Sequence, residues 1–359
     1  LDAVCAMKLP SVGEKEGLLE EEAAGNKPQA GMDRADLLKY GSLAFLILQN
    51  SSHVLLLRYS RVVGGDCGQY VTSVAVLFSE LFKLCFCLVV LTFIEKGPLS
   101  ALSRLDLDIW QRKVDTLKVA IPAICYTFQN NLQFVAATHL GAALLQLLYQ
   151  TKTLSTAIFG VFILSKSLRN NQWCALFILV VGVVLAQSSQ SAASANKGNI
   201  AIGVTAAIGV SVCSGFASVY LEKILKGDKT SIWVRNIQLC IFSIPLQLFA
   251  VYQRDYDKVM ANGWLHGFCP TTWAVVCMFA FGGLLVAVVI RFADNNLKNL
   301  AMALAILLSC LASIPLFTFK PNGVFAGGGF LVICSIFLYA WQPKAASATY
   351  LPISNADSK

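Results

Sequence analysis

The stretch GAALLQLLYQTKTLSTAIFGVFIL (residues 141–164) decides the fold of this chain, because it is long and apolar enough to cross a lipid bilayer as one helix. Lys152 lies near its middle. A charged side chain at the centre of a membrane helix costs about 2.5–3.5 kcal/mol on insertion scales, so intramembrane charges usually have a function. The stretch therefore predicts both a membrane span and a polar pocket within a helical bundle.

The composition extends this prediction to the whole chain. Of its 359 residues 56% are hydrophobic and only 13% are charged, with a mean hydropathy of +0.64. Soluble domains carry about 25% charged residues. We therefore predict an all-α integral membrane protein with ten transmembrane helices, at about 40–57, 71–94, 114–136, 141–164, 171–188, 199–221, 232–252, 271–290, 299–318 and 323–341.

The charged residues outside these spans predict the orientation. Residues 1–39 are polar, lack the apolar core of a secretory signal, and are expected to form a disordered cytoplasmic tail. The tails and even-numbered loops hold 18 Lys and Arg residues, the odd-numbered loops hold 6, and four lie inside helices. By the positive-inside rule both termini are cytoplasmic, including a C-terminal tail at 343–359.

The ten-helix bundle, residues 40–342, divides at the polar linker SSQSAASANKGN (188–199) into halves of about 40–188 and 199–342. Because each half has five spans, the second half runs through the membrane in the opposite sense, which makes two inverted repeats. FVAATHLGAALLQ (134–146) aligns without gaps on FADNNLKNLAMAL (292–304), at equivalent turns of the two halves. Such duplications place a substrate site near the midplane, where the halves meet.

The third and fourth predicted helices carry the candidate binding residues of the first half. Tyr126 and Asn130 share a face at i, i+4 with Asn131 beside them, and amides of this kind can read the edge of a nucleobase. Interhelical hydrogen bonding is the alternative for these amides. Gln146, Tyr149 and Lys152 follow on the next helix, where the cation predicts an anionic ligand. The internal alternative for Lys152 is a pair with Glu80.

Two further features lie in the second half. Lys298, at the turn between helices 8 and 9, is a second cation available to a diphosphate, although snorkelling to the interface also explains its charge. Small residues in helix 6 and a glycine run in helix 10 predict close helix packing or a sliding surface, namely Gly209, Ser211, Ser214, Gly215 and Ser218, and Gly327–Gly329.

Several functional classes are excluded by what the chain lacks. Its three histidines are far apart in sequence, and neither a nucleophile motif nor a Walker motif is present, so we predict no enzyme, no cofactor and no metal site. The net charge of +8 follows the loop bias and predicts no nucleic-acid partner. Of twelve cysteines, only Cys67 and Cys269 fall in non-cytoplasmic loops, which leaves a disulfide between them open.

Four sequence blocks carry a family resemblance. FQNNLQFVAATHLGAALLQLLYQTK (128–152), CSGFASVYLEKILKG (213–227), SIWVRNIQL (231–239) and FGGLLVAVVIRFADNNLK (281–298) occur in order across both halves. They resemble the Golgi nucleotide-sugar transporters of the drug/metabolite transporter superfamily, nearest the UDP-galactose, UDP-N-acetylglucosamine and CMP-sialic acid transporter group. The resemblance covers about residues 40–342 and leaves the tails unmatched.

The resemblance implies a multi-pass Golgi membrane antiporter that exchanges a nucleotide sugar for a nucleoside monophosphate by alternating access. Asn130 and Asn131 look like base-recognising amides, and Tyr149 and Lys152 like the ring and the phosphate cation of the YQxK motif. The pocket partners from the second half look like Ser214, Tyr220, Asn236 and Lys298. A homodimer is left open.

The sequence determines the family more closely than it determines the sugar and the base of the transported nucleotide sugar. Leu145, Gly141 and the pair Arg291 and Phe292 depart from the family pattern on the pocket side. GGLLVAVV (282–289) favours UDP-galactose or UDP-N-acetylglucosamine, exchanged for UMP. The alternatives are a CMP-sialic acid/CMP antiporter of the same fold and a membrane scaffold that does not transport.

Overall fold

A computed structural model describes residues 34–62, 68–192, 199–225, 230–292 and 295–341, and within these ranges every regular element is a helix. A π-helical turn, Asp106–Trp110, separates α3 from α4. The helices are α1 (Arg34–Val62), α2 (Thr72–Ile94), α3 (Pro98–Leu105), α4 (Lys113–Lys118), α5 (Ala120–His139), α6 (Ala142–Tyr149), α7 (Thr151–Leu164), α8 (Asn170–Ala192), α9 (Ile200–Leu225), α10 (Ile232–Asn262), α11 (Pro270–Phe292), α12 (Asn295–Phe317) and α13 (Gly323–Ala340).

Six helical segments of the described residues are long and apolar enough to cross a membrane. They are α2, the combined segment Ala142–Leu164 of α6 and α7, Asn170–Ser188, Ile200–Ile224, α10 and α13. Shorter apolar helical stretches occur in α11 and α12, at Pro270–Gly282 and Ala301–Phe317. The all-helical, membrane-spanning character of the chain agrees with the prediction. The predicted tails lie outside the described residues, except that α1 begins at Arg34.

The connection after α2 differs from the sequence prediction. The segment 95–113 was expected to be a loop leading into a span at 114, whereas it contains α3 and the π-helical turn, and the next long helix begins only at Ala120. Arg112 leaves the helical conformation, with φ −106° and ψ 51°. This backbone break separates α4 from the π-helical turn, whereas α4 is separated from α5 only by the turn at Val119, whose φ of −71° and ψ of −16° are helical. Hydropathy averaged over a window cannot resolve either break.

The centre of the bundle is built around α6. Its residues Ala142–Leu148 are all buried, and Leu145 and Leu147 are fully enclosed. They pack in one cluster with Phe134 of α5, Val332 of α13 and Ile306 of α12. A helix that is apolar around its whole circumference is expected to be surrounded by other helices, and this explains why AALLQLLY has almost no polar face.

Two close helix crossings depend on glycine. A Cβ atom on Gly328 of α13 would lie 2.6 Å from the Gly182 carbonyl oxygen and from the Ala186 nitrogen of α8. Similarly, a Cβ on Gly215 of α9 would lie 2.6 Å from the Ser155 Cβ of α7. Small residues at such positions let helix backbones approach in a membrane. The close packing predicted for the small-residue positions is confirmed at Gly215 and Gly328.

Gly328→Ala is expected to destabilise the protein by about 1–3 kcal/mol, because the new methyl group meets backbone atoms of α8 that cannot rotate away. Gly327→Ala is the matched control, since a Cβ there meets no atom within 4 Å. Thermal unfolding of the purified protein in detergent measures both changes. Equal melting temperatures for the two variants would contradict the close crossing of α8 and α13.

Side chains of α1 tie this helix to α5 at one end of the bundle. The buried Arg58 guanidinium donates through Nη1 to the Ala137 and Thr138 carbonyl oxygens, both at 2.7 Å, at the C-terminal end of α5. Arg61 donates to Thr138 Oγ1 at 3.1 Å and lies 5.3 Å from the centre of the Tyr70 ring. Burial raises the pKa of the Tyr70 phenol, and its hydroxyl lies 2.8 Å from Ser60 Oγ in a hydrogen bond.

The connection between α10 and α11 packs against the same end. A Cβ on Gly267 would lie 2.6 Å from the Tyr70 nitrogen, and Gly267 has a φ of +73°, which glycine adopts readily. Cys269 follows two residues later and is disulfide-bonded. Cys67, the partner that the sequence left open, lies outside the described residues.

Candidate functional site

The predicted span 141–164 is not one continuous helix. It is interrupted at Gln150, between Tyr149 and Lys152, where Gln150 N donates to Leu147 O and Thr153 N to Gln150 O, both with a three-residue spacing. These bonds tighten the turn locally. Gln150 is buried and Lys152 is exposed. Interrupted helices are typical of transporter binding sites, and the residues for which we predicted a role flank this interruption.

The hydroxyl of Tyr149 is a strong candidate for ligand contact. Its oxygen is buried and has no hydrogen-bond partner among the described residues. Buried polar atoms are nearly always satisfied, so an orphaned hydroxyl needs a partner that a ligand can supply. Gln129 Oε1 on α5 is also buried and unpaired. Gln129 belongs to the polar run FQNN (128–131) beside Asn130 and Asn131, and it was not among the residues assigned a binding role. Gln146, one turn before Tyr149, is buried.

Helix α9 brings residues of the second half to this interruption. Ser211 Oγ donates to the Leu148 carbonyl oxygen at 3.4 Å, and Gly215 packs on Ser155 of α7. Ser214 lies between them on α9 and is buried. Tyr220 stacks on Phe216 with ring centres 5.7 Å apart, and Phe216 meets Phe159 of α7. The structure therefore places both predicted α9 residues on a helix that packs directly against α6 and α7.

A charged cluster that sequence reasoning largely missed lies between α2, α5 and α10. Glu80 is buried, and its carboxylate is bound by Lys83 Nζ at 2.7 Å and by Ser243 Oγ at 2.6 Å. Asn130 Nδ2 lies 3.5 Å from Glu80 Oε1. Glu80 had been considered only as a partner for Lys152. Opposite charges three residues apart in an apolar span were the signal that could have indicated the pair with Lys83.

Asn131 makes the interhelical contact that the sequence left as an alternative. Its Nδ2 donates to Gln247 Oε1 of α10 at 2.8 Å, and Gln247 Nε2 donates to the Ser73 carbonyl oxygen of α2 at 2.9 Å. Gln247 is completely buried. The amide pair therefore joins α5, α10 and α2, and it gives Asn131 a structural role next to Asn130.

The other predicted residues are more dispersed. Tyr126 of α5 lies beside Ser218 of α9. Asn236 Nδ2 of α10 donates to the Ile232 carbonyl oxygen of its own helix at 2.9 Å. The side chain of Lys298 lies outside the described residues. Contacts of α5 with α9 and α10, and of α9 with α6 and α7, link the helices that carry the other predicted residues.

Known proteins resemble this chain over most of its length. The family model for "Nucleotide-sugar transporter" matches residues 34–340. The chain is 42% identical to the UDP-galactose translocator of Homo sapiens over 87% of this chain and 79% of that protein. It is 44% identical to the UDP-N-acetylglucosamine transporter of Homo sapiens over 86% and 97% of the two chains. The UDP-galactose/UDP-N-acetylglucosamine transporter srf-3 of Caenorhabditis elegans is 45% identical over 87% and 84%.

A solved structure described only as "Crystal structure of protein" has the same fold, with a TM-score of 0.51 and 14% identity over 82% of this chain and 96% of that one. The family and the named relatives are transporters and not enzymes, and the apolar helices make this chain a multi-pass membrane protein. The resemblance found in the four sequence blocks is thereby confirmed, and the chain belongs to the nucleotide-sugar transporter family.

Proposed function

We propose that this protein carries a UDP-sugar, UDP-galactose or UDP-N-acetylglucosamine, across the Golgi membrane in exchange for UMP by alternating access. The observation that carries the proposal is the buried Tyr149 hydroxyl, which has no hydrogen-bond partner in the described part of the chain. It lies three residues before the cation Lys152, at a helix interruption inside a membrane bundle. A phenol and a cation so placed suit a ligand with both hydrogen-bonding groups and phosphate. Two relatives are named the UDP-galactose translocator and the UDP-N-acetylglucosamine transporter.

We further propose ten spans in two inverted halves, with α1 to α8 in the first half and α9 to α13 in the second. In this scheme α1 corresponds to α9, α2 to α10, α5 to α11, α6 and α7 to α12, and α8 to α13. The helix contacts support it: α1 packs on α11 and α12, as α9 packs on α5, α6 and α7. Equivalent helices also pair with each other, α2 with α10 and α8 with α13. Such reciprocal contacts are what a pseudo-twofold axis in the membrane plane produces.

The disulfide at Cys269 supports the orientation with both termini in the cytoplasm. Cys269 lies in the connection between α10 and α11, which the positive-inside count places on the non-cytoplasmic side. Disulfides persist in oxidising compartments and are rare in the cytosol. The Golgi lumen on that side of the membrane would preserve the bond.

The cluster at Arg58 and Tyr70 supports alternating access. It ties α1 to α5 at the same end of the bundle as Cys269, so these contacts hold the two helices together at that end. In the proposed orientation this is the lumenal end. Release of a substrate into the lumen would then require the two bonds between Arg58 and the end of α5 to break, while α1 and α5 move apart.

Liposomes that contain the purified protein and are preloaded with UMP are expected to take up labelled UDP-sugar faster than liposomes without UMP. In an exchanger, the binding site returns across the membrane with UMP bound, and this return completes each cycle. A competition panel of UMP, CMP, GMP and free sugar phosphates separates a uridine carrier from the CMP-sialic acid alternative and from other anion carriers. Equal uptake with and without preloading would contradict exchange.

Thermal unfolding in the presence of the same nucleotides separates a transporter from a membrane scaffold. A ligand at 100 times its dissociation constant stabilises the folded protein by about 2.7 kcal/mol. The proposal expects a rise in melting temperature with UMP or a UDP-sugar. No shift with any nucleotide would favour a scaffold without a working pocket.

A further inference from the structure

The segment between α2 and α5 exposes a run of large apolar side chains. Six large apolar side chains recur at spacings of three to five residues through α3, the π-helical turn and α4. Their exposed fractions are Leu99 78%, Leu102 61%, Leu107 42%, Trp110 66%, Val114 70% and Leu117 66%. Contiguous exposed apolar side chains need a covering by lipid or by protein.

The opposite side of the segment is firmly attached to the bundle. Ala101 and Ile109 are buried against Trp233 and Ile237 of α10. Gln238 Nε2 of α10 donates to the Asp108 carbonyl oxygen at 3.1 Å and to Thr116 Oγ1 at 3.0 Å. The apolar side chains are therefore held outward by a fixed scaffold.

The polar side chains of the segment suit a surface that is only partly exposed to water. Asp108 is buried, and Arg104 Nε neutralises it at 2.8 Å. Lys118 pairs with Asp115 at 2.9 Å. Lys113, between Trp110 and Val114, is exposed. Basic and aromatic residues of this kind accumulate where protein meets lipid headgroups.

The position of the segment in the chain identifies what covers its apolar side. It begins directly after the apolar span α2, whose last turn exposes Phe93, and it ends directly before α5, whose first turn exposes Ile121. The apolar side chains of the segment thus continue the apolar surface of these helices. Because α2 is apolar enough to cross the membrane, its end places the start of the segment at the boundary between lipid and water.

We propose that residues 98–118 are a membrane-surface anchor that lies in the boundary between headgroups and acyl chains, with Trp110 and its apolar neighbours inserted into one leaflet. An amphipathic helix in this position binds by burying its apolar side to about 5–10 Å. The anchor would hold α2, α5 and α10 at a constant depth while the transport pocket changes its access. This role is independent of which nucleotide sugar is carried.

The test uses the full-length protein reconstituted in liposomes with lipids brominated either at the 6,7 or at the 11,12 acyl positions, since bromine quenches tryptophan on contact. The contribution of Trp110 is the difference in fluorescence between the original protein and Trp110→Phe. We expect the emission of Trp110 obtained in this way to be blue-shifted. It should be quenched more by the shallow 6,7 bromines than by the deep 11,12 bromines, and it should be insensitive to aqueous iodide. Trp233→Phe is the control, because Trp233 is buried and its loss should leave lipid quenching unchanged.

Two results would overturn the anchor. Quenching of the Trp110 contribution by iodide and not by brominated lipid would show that the segment faces water. Protection from both quenchers would show that protein covers it, such as a second copy of this chain. Trp110→Phe removes little volume, so correct folding of the variant can be checked by an unchanged melting temperature.

Discussion

Lys152→Gln is expected to weaken nucleotide binding by about tenfold or more and to change the binding of the free nucleoside much less. Lys152 is exposed at the helix interruption that also carries the unpaired Tyr149 hydroxyl. A hydrogen bond between a cation and a phosphate in a partly dry site contributes about 1.5–3 kcal/mol, which corresponds to a change of tenfold or more in the dissociation constant. Titration calorimetry in detergent with UMP and with uridine measures the two affinities.

Lys152→Arg is the matched control, because it keeps the charge and should retain most of the nucleotide affinity. Tyr149→Phe removes only the buried hydroxyl. It is expected to weaken the binding of a ligand that hydrogen-bonds this hydroxyl. If Lys152→Gln left UMP affinity unchanged and lowered the stability of the ligand-free protein, the cation would be a structural group and not a phosphate ligand.

Glu80→Gln is expected to destabilise the ligand-free protein by about 3 kcal/mol. Lys83 is paired with Glu80 at 2.7 Å inside the bundle, and the substitution leaves its ammonium in a largely buried position without the compensating carboxylate. Removing one partner of a buried ion pair costs about 3–5 kcal/mol, whereas replacing both partners by neutral groups is often nearly neutral. Thermal unfolding of the purified variants measures the change.

The double variant Glu80→Gln/Lys83→Met tests this reasoning. It is expected to be more stable than either single variant, because neither charge is then left alone in the bundle. If the two single effects simply added in the double variant, Glu80 and Lys83 would be energetically independent. The substrate affinity of the double variant is a separate measurement. It reports whether Asn130, which lies 3.5 Å from Glu80, needs the charged cluster for its position.

The sequence alone determined the broad character of this protein. The low content of charged residues and the long apolar runs predicted a helical membrane protein, because a span must satisfy its backbone internally and offer apolar side chains to lipid. Four ordered sequence blocks identified the family. These properties depend on composition and local pattern.

Only the tertiary structure decided where the helices break and which polar side chains pair. Asn131 bonds Gln247 across 116 residues of sequence, and the Arg58 guanidinium bonds the Ala137 carbonyl across 79. Asn130 and Asn131 look equivalent in sequence, yet one lies beside Glu80 and the other joins helices. The helical elements within 95–113 and the interruption at Gln150 were likewise missed. Hydropathy averages over neighbouring residues, whereas the partner of a buried polar group is set by helices that meet only after folding.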